Sequence, residues 1–149
     1  MSYQSFEQVL QKCHTEEKEF WQVILEDDMA ERNVSEEDSM EHMRATWDAM
    51  LLAAATYEGN LKSSSGLVGG DGRRMEEYIR SAGIPSLCGE YVDTCIAGAL
   101  QMGESNACMK RIVAAPTAGA CGVLPAVLVP YFQKRCKDTD KILKAMYVA

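Results

Sequence analysis

The chain has 149 residues, of which 47% are hydrophobic and 25% are charged, and these values are typical of one folded globular domain rather than of a disordered or collagen-like chain. Its formal net charge of -7 argues against a nucleic acid partner, because a phosphate backbone requires a basic protein surface. The sequence shows neither a signal peptide nor an apolar run of the roughly 18 residues that a membrane span needs, so we expect a cytoplasmic protein without a membrane partner.

The first 60 residues predict two helices. Ser5 and Gln8 resemble a capping box, and the apolar residues that follow keep a mostly helical spacing, which predicts one helix to about Glu26. Ser35 and Asp38 form a weaker capping box ahead of a second helix with apolar residues at i, i+3, i+4 and i+7. We interpret these apolar residues as core positions: Met40, Met43, Trp47, Met50, Leu51 and Ala54.

The same 60 residues carry most of the negative charge, with 14 acidic against 4 basic residues, whereas residues 61–149 carry 8 against 11. We interpret the acidic part as a solvated helical surface, and the alternative is that the near-neutral part holds a site that accepts an anion. His14 and His42 lie in the acidic part, and we expect both to be solvated rather than to act as catalytic bases.

The remaining residues predict four more helical segments. Residues 74–81 fit a short helix that Gly83-Ile84-Pro85 would break, and Ser86 would cap a long helix after it. The apolar face of that long helix would comprise Cys88, Val92, Cys95, Ile96, Ala99 and Leu100. Residues 123–135, interrupted by Pro130, and residues 140–149 complete the series, and no segment alternates convincingly as a strand. We therefore predict an all-α fold, a single compact helical domain over residues 1–149 with two glycine-rich functional loops.

The sequence ends on KILKAMYVA, inside an apolar helical pattern and without a stop signal. We expect either that the chain is the N-terminal part of a longer polypeptide or that a partner covers the exposed face ending at Tyr147-Val148-Ala149. Such an uncovered face favours self-association, so we also expect a homo-oligomer. A terminal helix docked tightly on its own domain is the alternative.

Six cysteines are present, and no two of them form a CxxC pair. Their spacing argues against a zinc site or an iron-sulfur cluster held within this chain alone, and a reducing compartment argues against disulfides. Cys88 and Cys95 are seven residues apart on one helical face, so we expect both to be small buried core residues.

Two glycine-rich segments are the candidate functional loops. The first, SSSGLVGGDG, covers residues 63–72, and the second lies in IVAAPTAGACGVL, residues 112–124, ahead of a helix that we predict to begin near Gly122. Small residues before a helix N-terminus leave backbone N–H groups accessible to an anion such as a substrate carboxylate. Thr117 adds a hydroxyl, and Lys110 and Arg111 add positive charge. Neither segment is a P-loop or a dinucleotide motif, and turns that only allow helices to pack are the alternative.

The combination of SGLVGGD (residues 65–71), Asn106 and IVAAPTAGACGVLPAVL (residues 112–128) resembles the α chain of bacterial iron-sulfur-dependent L-serine dehydratase, over roughly residues 40–149. The resemblance implies the N-terminal half of an α chain that converts L-serine to pyruvate and ammonia. It leaves open which of Ser63, Ser64, Ser65 and Asp71 contacts the substrate. The candidate substrate-binding residues that it implies are Ser63, Ser64, Ser65, Gly66, Gly69, Gly70, Asp71, Asn106, Pro116, Thr117, Ala118, Gly119 and Ala120. It assigns no catalytic residue and no metal ligand here, and Cys121 occupies a position where the family has a small residue.

The resemblance also implies a [4Fe-4S] cluster with three cysteine ligands, whose open iron polarises the serine hydroxyl, and no pyridoxal phosphate. The family's ligand cysteines would lie beyond residue 149, so we expect the isolated chain to be inactive. A β chain or β domain is the implied partner. Two other interpretations stay open: a related iron-sulfur L-cysteine desulfidase, and a non-catalytic helical interaction module.

Overall fold

Helices make up the secondary structure of the computed structural model, which describes residues 3–81, 86–115 and 117–149. Within these ranges no strand occurs, which confirms the predicted all-α class. The α-helices are α1 Phe6–Glu16, α2 Phe20–Arg32, α3 Glu36–Ala55, α4 Asp71–Ser81, α5 Glu90–Ala107, α6 Val123–Tyr131 and α7 Thr139–Val148. A 3-10 turn, Ala118–Ala120, precedes α6, and a π-helical turn, Phe132–Cys136, follows it. The predicted break at Gly83-Ile84-Pro85 lies outside the described residues.

The chain divides into two compact units. The first comprises Met1–Trp47 and Asp138–Ala149, and the second comprises Asp48–Lys137, so α3 contributes residues to both. One domain over residues 1–149 stays a prediction, because two packing units can belong to a single folding domain. None of the helices in the described ranges combines the length and the apolarity that crossing a bilayer requires.

The helix predicted from Ser5 to about Glu26 is two helices, so this prediction is wrong. Glu17 adopts a left-handed φ of 53°, and the N–H of Lys18 bonds back to the Cys13 carbonyl at 3.0 Å, which ends α1. The N–H of Glu19 then donates to the Gln22 side chain at 2.8 Å in a capping box that begins α2. The apolar spacing continues across this turn and no glycine marks it, which is why periodicity alone missed it.

The capping box predicted at the start of α3 is confirmed. Ser35 Oγ accepts the N–H of Asp38 at 3.1 Å, and Asp38 Oδ2 accepts the N–H of Ser35 at 3.3 Å. Each side chain therefore satisfies one backbone donor that the first turn of the helix leaves without an intrahelical partner.

The apolar end of the chain is covered within the first unit, so the predicted uncovered face is wrong. Ile142 and Leu143 of α7 are 1% and 0% exposed, and α7 packs against α2. The Tyr147 hydroxyl lies 2.7 Å from Ser39 Oγ in the interior. Of the last three residues, Tyr147 is buried and Val148 and Ala149 are exposed, so the docked terminal helix is the arrangement that occurs.

Helix α5 differs from its prediction at its start. It begins after Gly89, which adopts a φ of 84°, whereas Ser86 lies outside the helix and donates its hydroxyl to Asp93 Oδ1 at 2.8 Å. Because Asp93 lies in the first turn and is buried, the Ser86 hydroxyl satisfies an interior carboxylate instead of capping the backbone.

The predicted apolar face of α5 is also wrong. Val92, Ile96 and Leu100 are 40%, 44% and 38% exposed, Cys88 is exposed, and Cys95 is half-buried. The buried residues of α5 are Asp93, Ala97, Met102, Glu104 and Ser105. The side of α5 that carries polar and small residues therefore faces the interior of the second unit.

Close helix packing explains this choice of side. A Cβ added at Gly122 would lie 3.1 Å from the Ala99 carbonyl oxygen, and one added at Gly98 would lie 3.4 Å from Ala126 Cα. Small residues thus let α5 and α6 approach backbone to backbone, and the exposed apolar side chains Val92, Ile96 and Leu100 lie on the other side of α5. Helix α6 continues past Pro130 to Tyr131, and the predicted interruption takes the form of the π-helical turn.

Candidate active site

Loop 1, residues 61–70, carries most of the first glycine-rich segment and is closed by its own serines. The N–H of Ser63 donates to the Val68 carbonyl at 2.9 Å, and Ser63 Oγ accepts the N–H of Val68 at 3.1 Å. Ser65 Oγ lies 3.1 Å from Ser63 Oγ and accepts the N–H of Leu67 at 3.4 Å. Ser64 is exposed. Two of the three predicted serines therefore stabilise the loop conformation itself.

The glycines of loop 1 adopt backbone angles that other residues avoid. Gly66, Gly69 and Gly70 have φ values of 73°, 140° and 94°. A Cβ added at Gly69 would lie 2.1 Å from the Leu61 carbonyl oxygen, whereas one at Gly66 or Gly70 would meet nothing within 4 Å. Gly69 is thus required both for its backbone angle and for a close approach of two backbone segments.

Loop 1 is anchored where it enters α4 by a buried carboxylate, Glu104 of α5, which is 3% exposed. Its Oε1 accepts the N–H of Asp71 at 2.5 Å and the N–H of Gly72 at 3.1 Å, and its Oε2 accepts the Tyr57 hydroxyl at 2.5 Å. The anchor therefore satisfies backbone donors in the first turn of α4, where the helix dipole also favours a negative charge.

The protonation states of this anchor follow from its surroundings. Burial acts to raise the pKa of Glu104, but the Tyr57 hydroxyl and the backbone N–H groups of Gly72, Asp71 and Gly70 outweigh it and hold that pKa below its ordinary value. Burial and the neighbouring Glu104 raise the pKa of Tyr57. At neutral pH Glu104 is thus an ionised acceptor and Tyr57 a protonated donor.

Gly72 allows this contact between α4 and α5. It is buried, and a Cβ at this position would lie 2.8 Å from Gln101 Cγ and 2.9 Å from the Tyr57 hydroxyl oxygen. The side chain of Asp71 points elsewhere, since Arg74 Nη1 donates to its Oδ1 at 2.8 Å with both side chains largely exposed. Such a surface pair stabilises a fold little, so the main contribution of Asp71 to the anchor is its backbone N–H.

Loop 2, residues 111–122, contains the second segment and presents its central residues to solvent. Thr117 Oγ1 accepts the N–H of Ala120 at 3.3 Å and caps the 3-10 turn, which leads into α6 one residue after the predicted start near Gly122. Thr117, Ala118 and Gly119 are exposed. The only atom within 4 Å of a Cβ added at Gly119 among the described residues is Thr117 Oγ1, at 3.8 Å. Packing therefore does not require a glycine at position 119, in contrast to Gly122.

The C-terminal end of α5 holds both loops. Asn106 Nδ2 donates to the Ala118 carbonyl of loop 2 at 3.1 Å, two residues beyond the Glu104 that anchors loop 1. Lys110 follows this end, and its ammonium pairs with Glu58 at 3.1 Å on the surface. The Glu58 carboxylate thus neutralises part of the positive charge that the sequence predicted next to loop 2. The contacts of Glu104 and Asn106 hold both loops at the same end of α5.

The residues predicted from the motifs therefore belong to one region of the second unit, except Pro116, which lies outside the described residues. Their contacts with a substrate stay predictions. Sequence reasoning missed Tyr57 and Glu104, and it included Gly72 in the first glycine-rich segment without assigning it a role. The one available signal for them was an acidic residue, Glu104, on a helix whose neighbouring positions are small or apolar. His14 and His42 are exposed, as expected.

A separate cleft of about 340 Å³ lies in the second unit among α3, α4, α5 and α6. Its described lining includes the apolar residues Met102 and Val129 but no residue of loop 1 or loop 2. The two basic side chains that line it are paired, Lys134 with Glu90 at 2.6 Å and Arg80 with Glu76 at 3.7 Å. Both basic side chains that could bind a substrate carboxylate in this cleft are therefore already paired with glutamates. For this reason the two loops are the stronger candidate for the substrate-binding site.

The described residues do not fit a metal cluster. Among them, no group of three or more His, Cys, Asp or Glu side chains is placed to hold a metal ion. Cys121 is 2% exposed, and burial raises the pKa of its thiol above the ordinary cysteine value. Its burial agrees with a small core residue within loop 2.

Comparison with known sequences identifies the family. Residues 15–149 match the sequence model described as serine dehydratase alpha chain. The chain belongs to this family. The serine dehydratase alpha chain match includes loop 1, the end of α5 and loop 2, so the region assembled above is part of what the family shares.

Individual relatives agree with the family match. The chain is 30% identical over 139 residues to the alpha chain of L-serine dehydratase from Peptoniphilus asaccharolyticus, which covers 91% of this chain and 46% of the relative. It is 29% identical over 127 residues to the probable L-serine dehydratase alpha chain of Bacillus subtilis, which covers 85% of this chain and 42% of the relative. A shorter match, 44% identical over 50 residues, covers 34% of this chain and 11% of L-serine dehydratase 2 from Escherichia coli. The chain thus spans less than half the length of these relatives, and no solved structure matches it.

Proposed function

We propose that this chain is the substrate-binding portion of an L-serine dehydratase. The observation that carries the proposal is that the family match contains both loops and the one helix end that holds them. The complete enzyme removes water from L-serine to give aminoacrylate, which tautomerises and takes up water to give pyruvate and ammonia.

In this proposal the exposed part of loop 2 binds the substrate carboxylate. Thr117 keeps a hydroxyl proton to donate while its oxygen accepts the N–H of Ala120, and Gly119 leaves the space beside it open. Loop 1 supplies further contacts to the substrate, and Ser64, Ser65 and Gly66 are exposed at its tip. Backbone and hydroxyl donors of this kind are well suited to hold a carboxylate in place.

The proposal includes further components of the complete enzyme. A [4Fe-4S] cluster supplies Lewis-acid chemistry when it is bound, and its ligands come from outside residues 1–149, since the described residues offer no suitable donor set. A β chain or β domain completes the enzyme, which is cytoplasmic. The interpretation as a non-catalytic helical module is not favoured, because the relatives are named as enzymes.

The test of the proposed function is substrate-dependent product formation by the complete, anaerobically prepared enzyme. L-Serine and L-cysteine are supplied separately, and pyruvate, ammonia and sulfide are measured. We expect pyruvate and ammonia from serine at a rate far above that from cysteine. Faster sulfide release from cysteine would instead support the desulfidase, and no turnover of either substrate would contradict both enzymes.

The isolated 149-residue chain should bind no iron-sulfur cluster, because none of its described side chains forms a ligand set and its cysteines lack cluster spacing. The measurement is anaerobic reconstitution with iron and sulfide, followed by gel filtration and metal analysis. We expect less than about one iron per chain, compared with the roughly four that one [4Fe-4S] cluster contains. A stable brown species with the full complement would contradict the prediction.

A further inference from the structure

A buried carboxylate that no substrate-binding step uses, Glu104, holds the end of loop 1. Glu104 is 3% exposed, and its oxygens accept the N–H groups of Asp71 and Gly72 and the Tyr57 hydroxyl. We propose that Glu104 is a positioning residue for substrate binding, which fixes the end of loop 1 on the same helix end from which Asn106 fixes loop 2. The inference rests on the proposed function, since it assumes that the loops bind the substrate.

The C-terminal end of α5 separates the two loops, because Glu104 and Asn106 point in different directions from the helix. Side chains two residues apart on a helix point in directions about 200° apart, so Glu104 and Asn106 leave α5 on opposite sides. Loop 1 and loop 2 are therefore fastened on opposite sides of the same helix end. Release of the Glu104 contacts frees one loop while the other stays bound, which changes the separation of the groups that hold the substrate.

The contacts of Glu104 also explain why a carboxylate occupies this position. One oxygen accepts two backbone N–H groups and the other accepts a hydroxyl, so both oxygens act only as acceptors. Glutamine keeps the shape but replaces one acceptor with an amide donor and removes the charge that strengthens all three bonds. Glu104→Gln therefore weakens the anchor without creating a cavity.

The test combines a conformational measurement with kinetics, both made on the complete enzyme. The variants are Glu104→Gln and Tyr57→Phe, and the matched control is Glu90→Gln, which changes a glutamate at the other end of α5 that is exposed and paired with Lys134. Backbone hydrogen exchange of the segment 63–72 is followed by mass spectrometry, and KM and kcat are measured with L-serine beside the melting temperature.

We expect Glu104→Gln to accelerate exchange in the segment 63–72 about tenfold and to raise KM for serine about fivefold to twentyfold, with a smaller change in kcat. Tyr57→Phe, which removes one of three bonds, should change both quantities about twofold to fivefold, and Glu90→Gln should change neither. If Glu104→Gln does not fold, the hydrogen exchange and the KM of Tyr57→Phe decide whether the anchor of loop 1 affects substrate binding.

Unchanged exchange in the segment 63–72 overturns the inference, whether or not the enzyme uses serine. Faster exchange with an unchanged KM also overturns it, because Glu104 would then be structural only. Failure of the proposed function has a different signature, namely a wild-type enzyme that forms no pyruvate from serine.

Discussion

Gly69→Ala should collapse loop 1 and lower serine turnover by the complete enzyme by roughly a hundredfold or more. The new Cβ would lie 2.1 Å from the Leu61 carbonyl oxygen, at a residue whose φ of 140° is unfavourable for any L side chain. Backbone strain and overpacking together lower the free energy of unfolding by roughly 3 kcal/mol or more. The backbone of loop 1 must therefore shift to a different conformation. The measurements are the free energy of unfolding of the chain and kcat/KM of the complete enzyme.

Gly66→Ala is the matched control in the same loop. Its φ of 73° lies in the left-handed region, but a Cβ there meets no atom within 4 Å. The expected cost is therefore only the conformational one, about 1 to 2 kcal/mol. Equal effects of the two substitutions would show that close approach to Leu61 is not what position 69 requires.

Thr117→Ala and Gly119→Leu should each lower kcat/KM for serine by about tenfold to a hundredfold. Thr117→Ala removes the hydroxyl that we propose donates to the substrate carboxylate, and a hydrogen bond to a charged group contributes about 1.5 to 3 kcal/mol. Gly119→Leu fills space that the described residues leave open, since only Thr117 Oγ1 lies within 4 Å of the added Cβ. The assay is pyruvate formation by the complete enzyme, with cluster content measured in the same preparation.

The controls separate substrate binding from folding. Thr117→Ser keeps both the donor and the oxygen that accepts the N–H of Ala120, so it should remain close to wild type. Gly119→Leu should leave the melting temperature nearly unchanged, whereas Gly122→Leu should lower it, because a Cβ at Gly122 lies 3.1 Å from the Ala99 carbonyl oxygen. If Thr117→Ala and Gly119→Leu both keep full kcat/KM, loop 2 is a packing element and the substrate binds elsewhere.

The parts of the fold that the sequence predicted are those governed by local chemistry. The Ser35 and Asp38 capping box lies within four residues, and both of its hydrogen bonds form as expected. The end of α1 at Glu17 is local too, but a left-handed glutamate has no residue signature, whereas a glycine would have.

The missed parts depend on residues far apart in the chain. The interior side of α5 is set by the close approach of α5 and α6, where Gly98 lies against Ala126 and Gly122 lies against Ala99. Hydrophobic periodicity favours the opposite side, where Val92 and Ile96 are exposed. The role of Glu104 depends on donors more than 30 residues away. Composition identified the loops, but no pattern within either loop indicates which helix holds it.

The anchor of loop 1 also links folding of this region to proton concentration. Because the pKa of Glu104 in the folded chain lies below its ordinary value, protons bind this carboxylate more tightly once the chain unfolds. Its stabilising contribution is fully present above the unfolded pKa of about 4.3 and is lost as the pH falls through the lower, folded pKa. At low pH, protons thus compete with the backbone N–H groups and the Tyr57 hydroxyl for the Glu104 oxygens that hold loop 1. A pH change between mild acidity and neutrality leaves these contacts intact.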